Sequence, residues 1–184
     1  MKYYVVKYKG LFGFIKPWSA VRDGMTCSQQ FLTPSIIEGI EKKLFPEMLA
    51  HPGKIMKILR HKLVYQGMSD QQEQTQARGF NKKGGRDNSI LIRGILINPC
   101  LSLAFADEAD ALIAIQQHIC LCRNEDILLP DSEIEIMEET DFDRQDGFEL
   151  RFGKSENSFL VGYNRFDNAA PMYGWIEYNG TSLL

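Results

Sequence analysis

The amino-acid sequence predicts an α+β fold, an antiparallel sheet with two helices on one face. Three observations lead there. Strand-like and helix-like segments follow one another as β-α-β-β-α-β, no linker divides the chain, and 184 residues at 44% hydrophobic and 24% charged suit one core.

Residues 2–8 are rich in β-branched and aromatic side chains and stop at Gly10, with Gly13 beyond, so they predict the first strand. After a polar stretch, Thr33-Pro34 sets a helix start: a capping hydroxyl, then proline where its missing N–H costs nothing. Ile36, Ile37, Ile40 and Leu44 recur at helical spacing, while Glu38, Glu41, Lys42 and Lys43 are expected on the solvent side. Phe45-Pro46 ends that helix. Residues 55–65 predict a second strand.

Residues 67–88 are polar and rich in Gln and Gly, which predicts a long irregular insertion. Arg78, Lys82, Lys83 and Arg86 outweigh Asp70, Glu73 and Asp87, making it a basic finger. Residues 89–105 predict strands on both sides of Asn98-Pro99. Asp107 then caps a helix carrying Ala111, Leu112, Ile115 and Ile119 on one side, and residues 133–138 supply a last strand. This order is that of the split β-α-β, ferredoxin-like unit. The predicted organisation is a ferredoxin-like domain over residues 1–125 with its basic finger at 67–88, and a short C-terminal β-rich extension of the same domain over 126–184.

Composition narrows the function. The N-terminus lacks the separate basic and apolar regions of a signal peptide, and Arg93, Asn98 and Pro99 interrupt the longest apolar run, so a cytoplasmic protein without a membrane partner is expected. Cys27, Cys100, Cys120 and Cys122 are too few and too irregular for a disulfide scaffold, and His118 with Cys120 and Cys122 lacks a second pair of metal ligands. There is no phosphate-binding glycine loop and no Ser-His-Asp pattern, so no cofactor and no metal are expected. The formal net charge of -3 hides a division: residues 1–93 hold 16 Lys and Arg against 7 Asp and Glu, and residues 94–184 hold 5 against 17. A phosphate-neutralising face explains this, and so do salt bridges within the fold.

What remains is basic and aromatic. Lys16, Trp18 and Arg22 precede the first helix and offer cations beside a stacking ring, as single-stranded RNA requires. Ser28 and Ser35 flank the helix start, whose free N–H groups can face a phosphate. Arg78, Lys82, Lys83 and Arg86 can grip phosphates while neighbouring glycines allow close approach.

Two stretches carry a resemblance. Phe14-Ile15-Lys16-Pro17, followed by Cys27-Ser28-Gln29-Gln30-Phe31-Leu32-Thr33-Pro34-Ser35-Ile36-Ile37-Glu38-Gly39-Ile40, resembles the aromatic-x-basic-Pro strand exit and the T-P-S helix start of CRISPR-associated protein family 5. Gln76-Ala77-Arg78 and the strand from Ile90 are similar to that family's Q-x-R and the strand after it. Nothing beyond residue 125 matches. The resemblance implies a RAMP-type, RRM-like ferredoxin fold that holds the 5′ handle of a crRNA, with the basic finger as its thumb. It also implies a place in a Cascade-type ribonucleoprotein complex, capping the backbone subunits beside a large subunit and meeting target DNA only indirectly, in antiviral defence.

Some members of that family cut precursor crRNA without metal, through a tyrosine at the end of the first helix and a lysine and histidine from the later loop. Here Phe45 stands in the tyrosine's place and the finger has Lys82 and Lys83 but no histidine. A phenyl ring transfers no proton, so RNA holding is favoured over cleavage. Tyr65 and His61 are the substitutes available for an endoribonuclease. A third reading is a protein-interaction module that binds no RNA.

Overall fold

The computed structural model describes residues 1–17, 25–75, 84 and 89–180. In chain order these form β1 (Lys2–Lys9), β2 (Phe12–Gly13), β3 (Met25–Cys27), α1 (Pro34–Leu44), a 3-10 turn (Pro46–Ala50), β4 (Ile58–Val64), β5 (Gly67–Thr75), β6 (Ser89–Ile97), β7 (Cys100–Phe105), α2 (Glu108–Ala114), β8 (Ile119–Cys120), β9 (Ile127–Pro130), β10 (Glu135–Glu138), α3 (Glu139–Arg144), β11 (Gly147–Phe152), β12 (Phe159–Asn164) and β13 (Ala170–Asn179).

β1 reads as an apolar run because both its faces are covered. Val6 and Tyr8 enter the core with Ile37, Ile40 and Leu44 of α1 and Ala111 and Ala114 of α2. Tyr3 and Val5 turn to the opposite face, where Phe142 of α3 lies on them, the Tyr3 and Phe142 ring centroids 5.8 Å apart. The alternation of a strand thus splits one segment between two cores. The fold is α+β as predicted, with two helices on one face of a mostly antiparallel sheet and a third, unforeseen, on the other.

The order of the main sheet is β12-β13-β11-β4-β7-β1-β9-β8, with β10 also against β1. β7 is antiparallel to both β1 and β4, from Tyr4↔Phe105 to Lys9↔Cys100 and from Ile58↔Phe105 to Val64↔Cys100. β1 and β4 therefore run the same way with α1 as the crossover. β11 joins beyond β4 through Phe148↔Leu63. That junction requires Gly147: its φ is +124, and a Cβ there would stand 2.8 Å from the Leu63 carbonyl.

A second sheet sets β6 between β2 and β3, with β5 paired to β6 in unbroken register from Gly67↔Ile97 to Thr75↔Ser89. Here the expectation of an irregular insertion is corrected: residues 67–75 are a strand. Residues 68–74 of β5 are exposed on both sides, so its sequence shows no alternation, and its order comes from the backbone ladder to the strand-prone β6. Two smaller corrections concern the helices. Glu41, expected in solvent, is fully buried, and its carboxylate accepts the N–H groups of Met56, Lys57 and Ile58 at 2.6–3.1 Å. The second helix stops at Ala114, leaving Leu112 exposed and Ile119 in β8.

Candidate nucleic-acid interface

Among the predicted contacts, Lys16 is exposed, directly after buried Phe14 and Ile15. Phe14 is flanked by two guanidinium groups that sequence reasoning passed over, Arg93 at 5.4 Å and Arg123 at 5.5 Å from the ring centroid. Both are partly neutralised, Arg93 by Glu73 at 3.0 Å and Arg123 by Asp126 at 2.6 Å. Ser28 is buried and its hydroxyl is engaged, accepting from the Ile15 N–H at 2.9 Å and donating to the Gln29 carbonyl at 3.0 Å. It fastens the segment after β3 to the exit of β2. Ser35 is exposed in the first turn of α1, with Oγ 3.1 Å from Thr33 Oγ1. Trp18, Arg22, Arg78, Lys82, Lys83 and Arg86 lie outside the described residues. The last rung of the β5–β6 ladder is Thr75↔Ser89, between the two residues that flank sequence 76–88.

Of the described groups weighed for proton transfer, Phe45 and His61 are held in the interior and Tyr65 is half-buried. Phe45 is 1% exposed, edge-on to Phe105 with centroids 5.9 Å apart. His61 is buried beside Phe152; burial, aided by the charges of Arg60 and Arg151, pushes its imidazole down to about 3, so it is neutral at physiological pH. Tyr65 stacks on Phe148, which leans on Tyr178, and burial raises its phenol.

The charge division is partly answered inside the fold. Lys7 binds Glu135 and Lys9 binds Asp131, each at 2.5 Å across neighbouring strands. Arg60, 3% exposed, donates to Glu149 through Nε and Nη2 and to Asp143 through Nη2, all at 2.7 Å. Burial opposes its charge, and the two carboxylates outweigh that, holding it above its usual range. Lys62 donates to the carbonyls of Asp143 and Gln145. Among the described residues, salt bridges between the halves thus absorb part of a contrast that also suggested a phosphate-binding face.

A groove of about 510 Å³ opens between the start of α1 and the β11–β13 extension. Its walls carry Phe152, Tyr163, Phe166 and Tyr173 with Lys154 and Arg165, and Ser35 stands at its edge. Gly53, at φ +77, joins the two sides, its N–H donating to Glu38 at 2.7 Å and its carbonyl accepting from Asn164 at 3.0 Å. The available sequence signal was basic and aromatic residues interleaved over 152–173, within an otherwise acidic half.

A scan against family models gives no match, and a search of curated proteins gives none. Among solved structures, a chain of a CRISPR RNA-guided surveillance complex is similar at a TM-score of 0.55 and 11% identity, over 96% of this chain and 90% of that chain. At this identity the likeness is one of fold. Among the described residues, no helix is long and apolar enough to cross a membrane.

Proposed function

We propose that this chain is a non-catalytic, RNA-holding subunit of a CRISPR RNA-guided surveillance complex, a member of CRISPR-associated protein family 5 that grips the 5′ handle of the crRNA. The observation that carries the reading is the β5–β6 arm. Its strands pair in unbroken register out to Thr75↔Ser89, the residues that flank the basic sequence 76–88, and the overall fold is similar to a chain of such a complex. Basic sequence carried between two such strands suits backbone contacts that position an RNA without reading its bases. Holding is favoured over cutting because buried Phe45 offers no transferable proton and His61 is sealed and neutral.

The test is the salt dependence of RNA binding. Replacing Lys82 and Lys83 by Ala lowers the slope of log affinity against log salt by about 0.7 for each phosphate that loses its cation. An unchanged slope overturns the assignment of the arm. The same RNA stays intact in EDTA; cleavage at one repeat position would put the endoribonuclease in place of the holder.

A further inference from the structure

The acidic half of the chain treats its few cations unequally. Of its five Lys and Arg residues, Arg123 pairs with Glu125 and Asp126, Arg144 with Asp141, and Arg151 with Glu177. The remaining two, Lys154 and Arg165, make no ion pair among the described residues, and both line the groove beside α1. With 17 carboxylates in the same half, leaving these two cations unpaired at one opening is a placement that favours an anion.

The groove also offers flat apolar surface. Tyr163 is 62% exposed and Phe166 57%, large rings left in water where each would gain by stacking. Tyr173 already lies under a cation, with Lys154 Nζ 5.0 Å from its centroid, and Lys42 Nζ stands 5.8 Å from that of Phe166. The one carboxylate of the lining, Glu38, is occupied by the Lys42 ammonium and the Gly53 N–H, so it does not cancel the neighbouring charge. Aromatic faces beside unpaired cations are what a nucleotide needs: stacking for the base, charge for the phosphate.

We propose that this groove is a second RNA site, separate from the arm, in which a base of single-stranded RNA stacks on Tyr163 or Phe166 while Lys154 and Arg165 hold its phosphate. The inference rests on the RNA-holding reading above. It adds that the C-terminal extension, as well as the arm, touches the strand. Apolar rings alone would equally suit a side chain of a protein partner; the two unpaired cations favour RNA.

The experiment uses the full chain and fluorescein-labelled oligouridine and oligoadenosine, since stacking tolerates any base. The variants are Tyr163→Ala, Phe166→Ala, Lys154→Ala with Arg165→Ala, and the conservative Tyr163→Phe. These side chains are exposed, so each variant keeps the wild-type melting temperature. Loss of a ring weakens binding by about tenfold, and Tyr163→Phe restores it. Loss of both cations removes that one phosphate contact and lowers the salt slope by roughly 0.7. If the wild type binds and every groove variant binds equally, the groove inference fails and the holder reading stands. If the wild type binds neither RNA, both fall. Unchanged RNA affinity together with lost association with a sister subunit overturns the groove in favour of a protein interface.

Discussion

His61 has an ordinary imidazole value of 6.5 and is held near 3 in the fold by burial and by the charges of Arg60 and Arg151. Below 6.5 the unfolded chain therefore binds a proton that the folded chain refuses, and stability falls as pH falls toward 3. Urea unfolding shows the consequence: between about pH 7 and about pH 5 the wild type loses on the order of 2 kcal/mol more than His61→Leu. Equal losses in the two proteins would remove His61 as the source. At this scale the sequence was readable where periodicity was followed to the end. Glu41 lies one turn after Ile37 and one before Leu44, on the stripe that enters the core, yet its charge argued for solvent. What it binds, the N–H groups of residues 56–58, leaves no local sign in the sequence.

Among the elements, those with a strong period or a clear stop were legible: the first strand, the helix opened by Thr33-Pro34 and closed at Phe45, and the strand at residues 58–64. β5 was not, because a strand with solvent on both faces has no alternation to show, and neither was α3, a helix of under two turns. The arm formed by β5 and β6 has a buried root and an exposed outer part. Ile95 and Leu96 are in the interior, whereas Gln74 and Ile90 are exposed. Excising residues 74–90 and joining Glu73 to Leu91 through Asn-Gly should therefore leave the fold intact, since those partners face each other in register and that turn suits a two-residue hairpin. The expected outcome is an unchanged circular dichroism spectrum and melting temperature with greatly weakened RNA binding. A collapse of the fold would show that the outer arm is structural, and full RNA affinity would move the phosphate-binding groups elsewhere.

For the whole molecule, the sequence showed opposite charge in its two halves but not which of those charges pair across them, because the pairing depends on which strands become neighbours. Arg60 on β4 and Glu149 on β11 come from distant parts of the chain and meet where the C-terminal extension joins the main sheet, and each is nearly inaccessible to solvent. A buried pair of this kind contributes less than the loss of one partner suggests, since the stranded charge keeps its desolvation cost. Arg60 Nη1 already lacks a hydrogen bond among the described residues, so Glu149→Ala leaves the guanidinium with Asp143 as its remaining close acceptor. That variant should lose about 3 kcal/mol in urea unfolding, with β11–β13 the first segment cut in limited proteolysis. Combining Arg60→Met with Glu149→Leu should recover most of the loss, because both charges of the pair are removed together, Lys62 keeps its two backbone carbonyl acceptors and Asp143 is exposed enough to be solvated. A double variant no more stable than Glu149→Ala would mean that the ion pair itself holds the extension in register. The groove beside α1 would then depend on that pair for its shape, since Phe152, Tyr163 and Tyr173 all reach it from the strands this junction anchors.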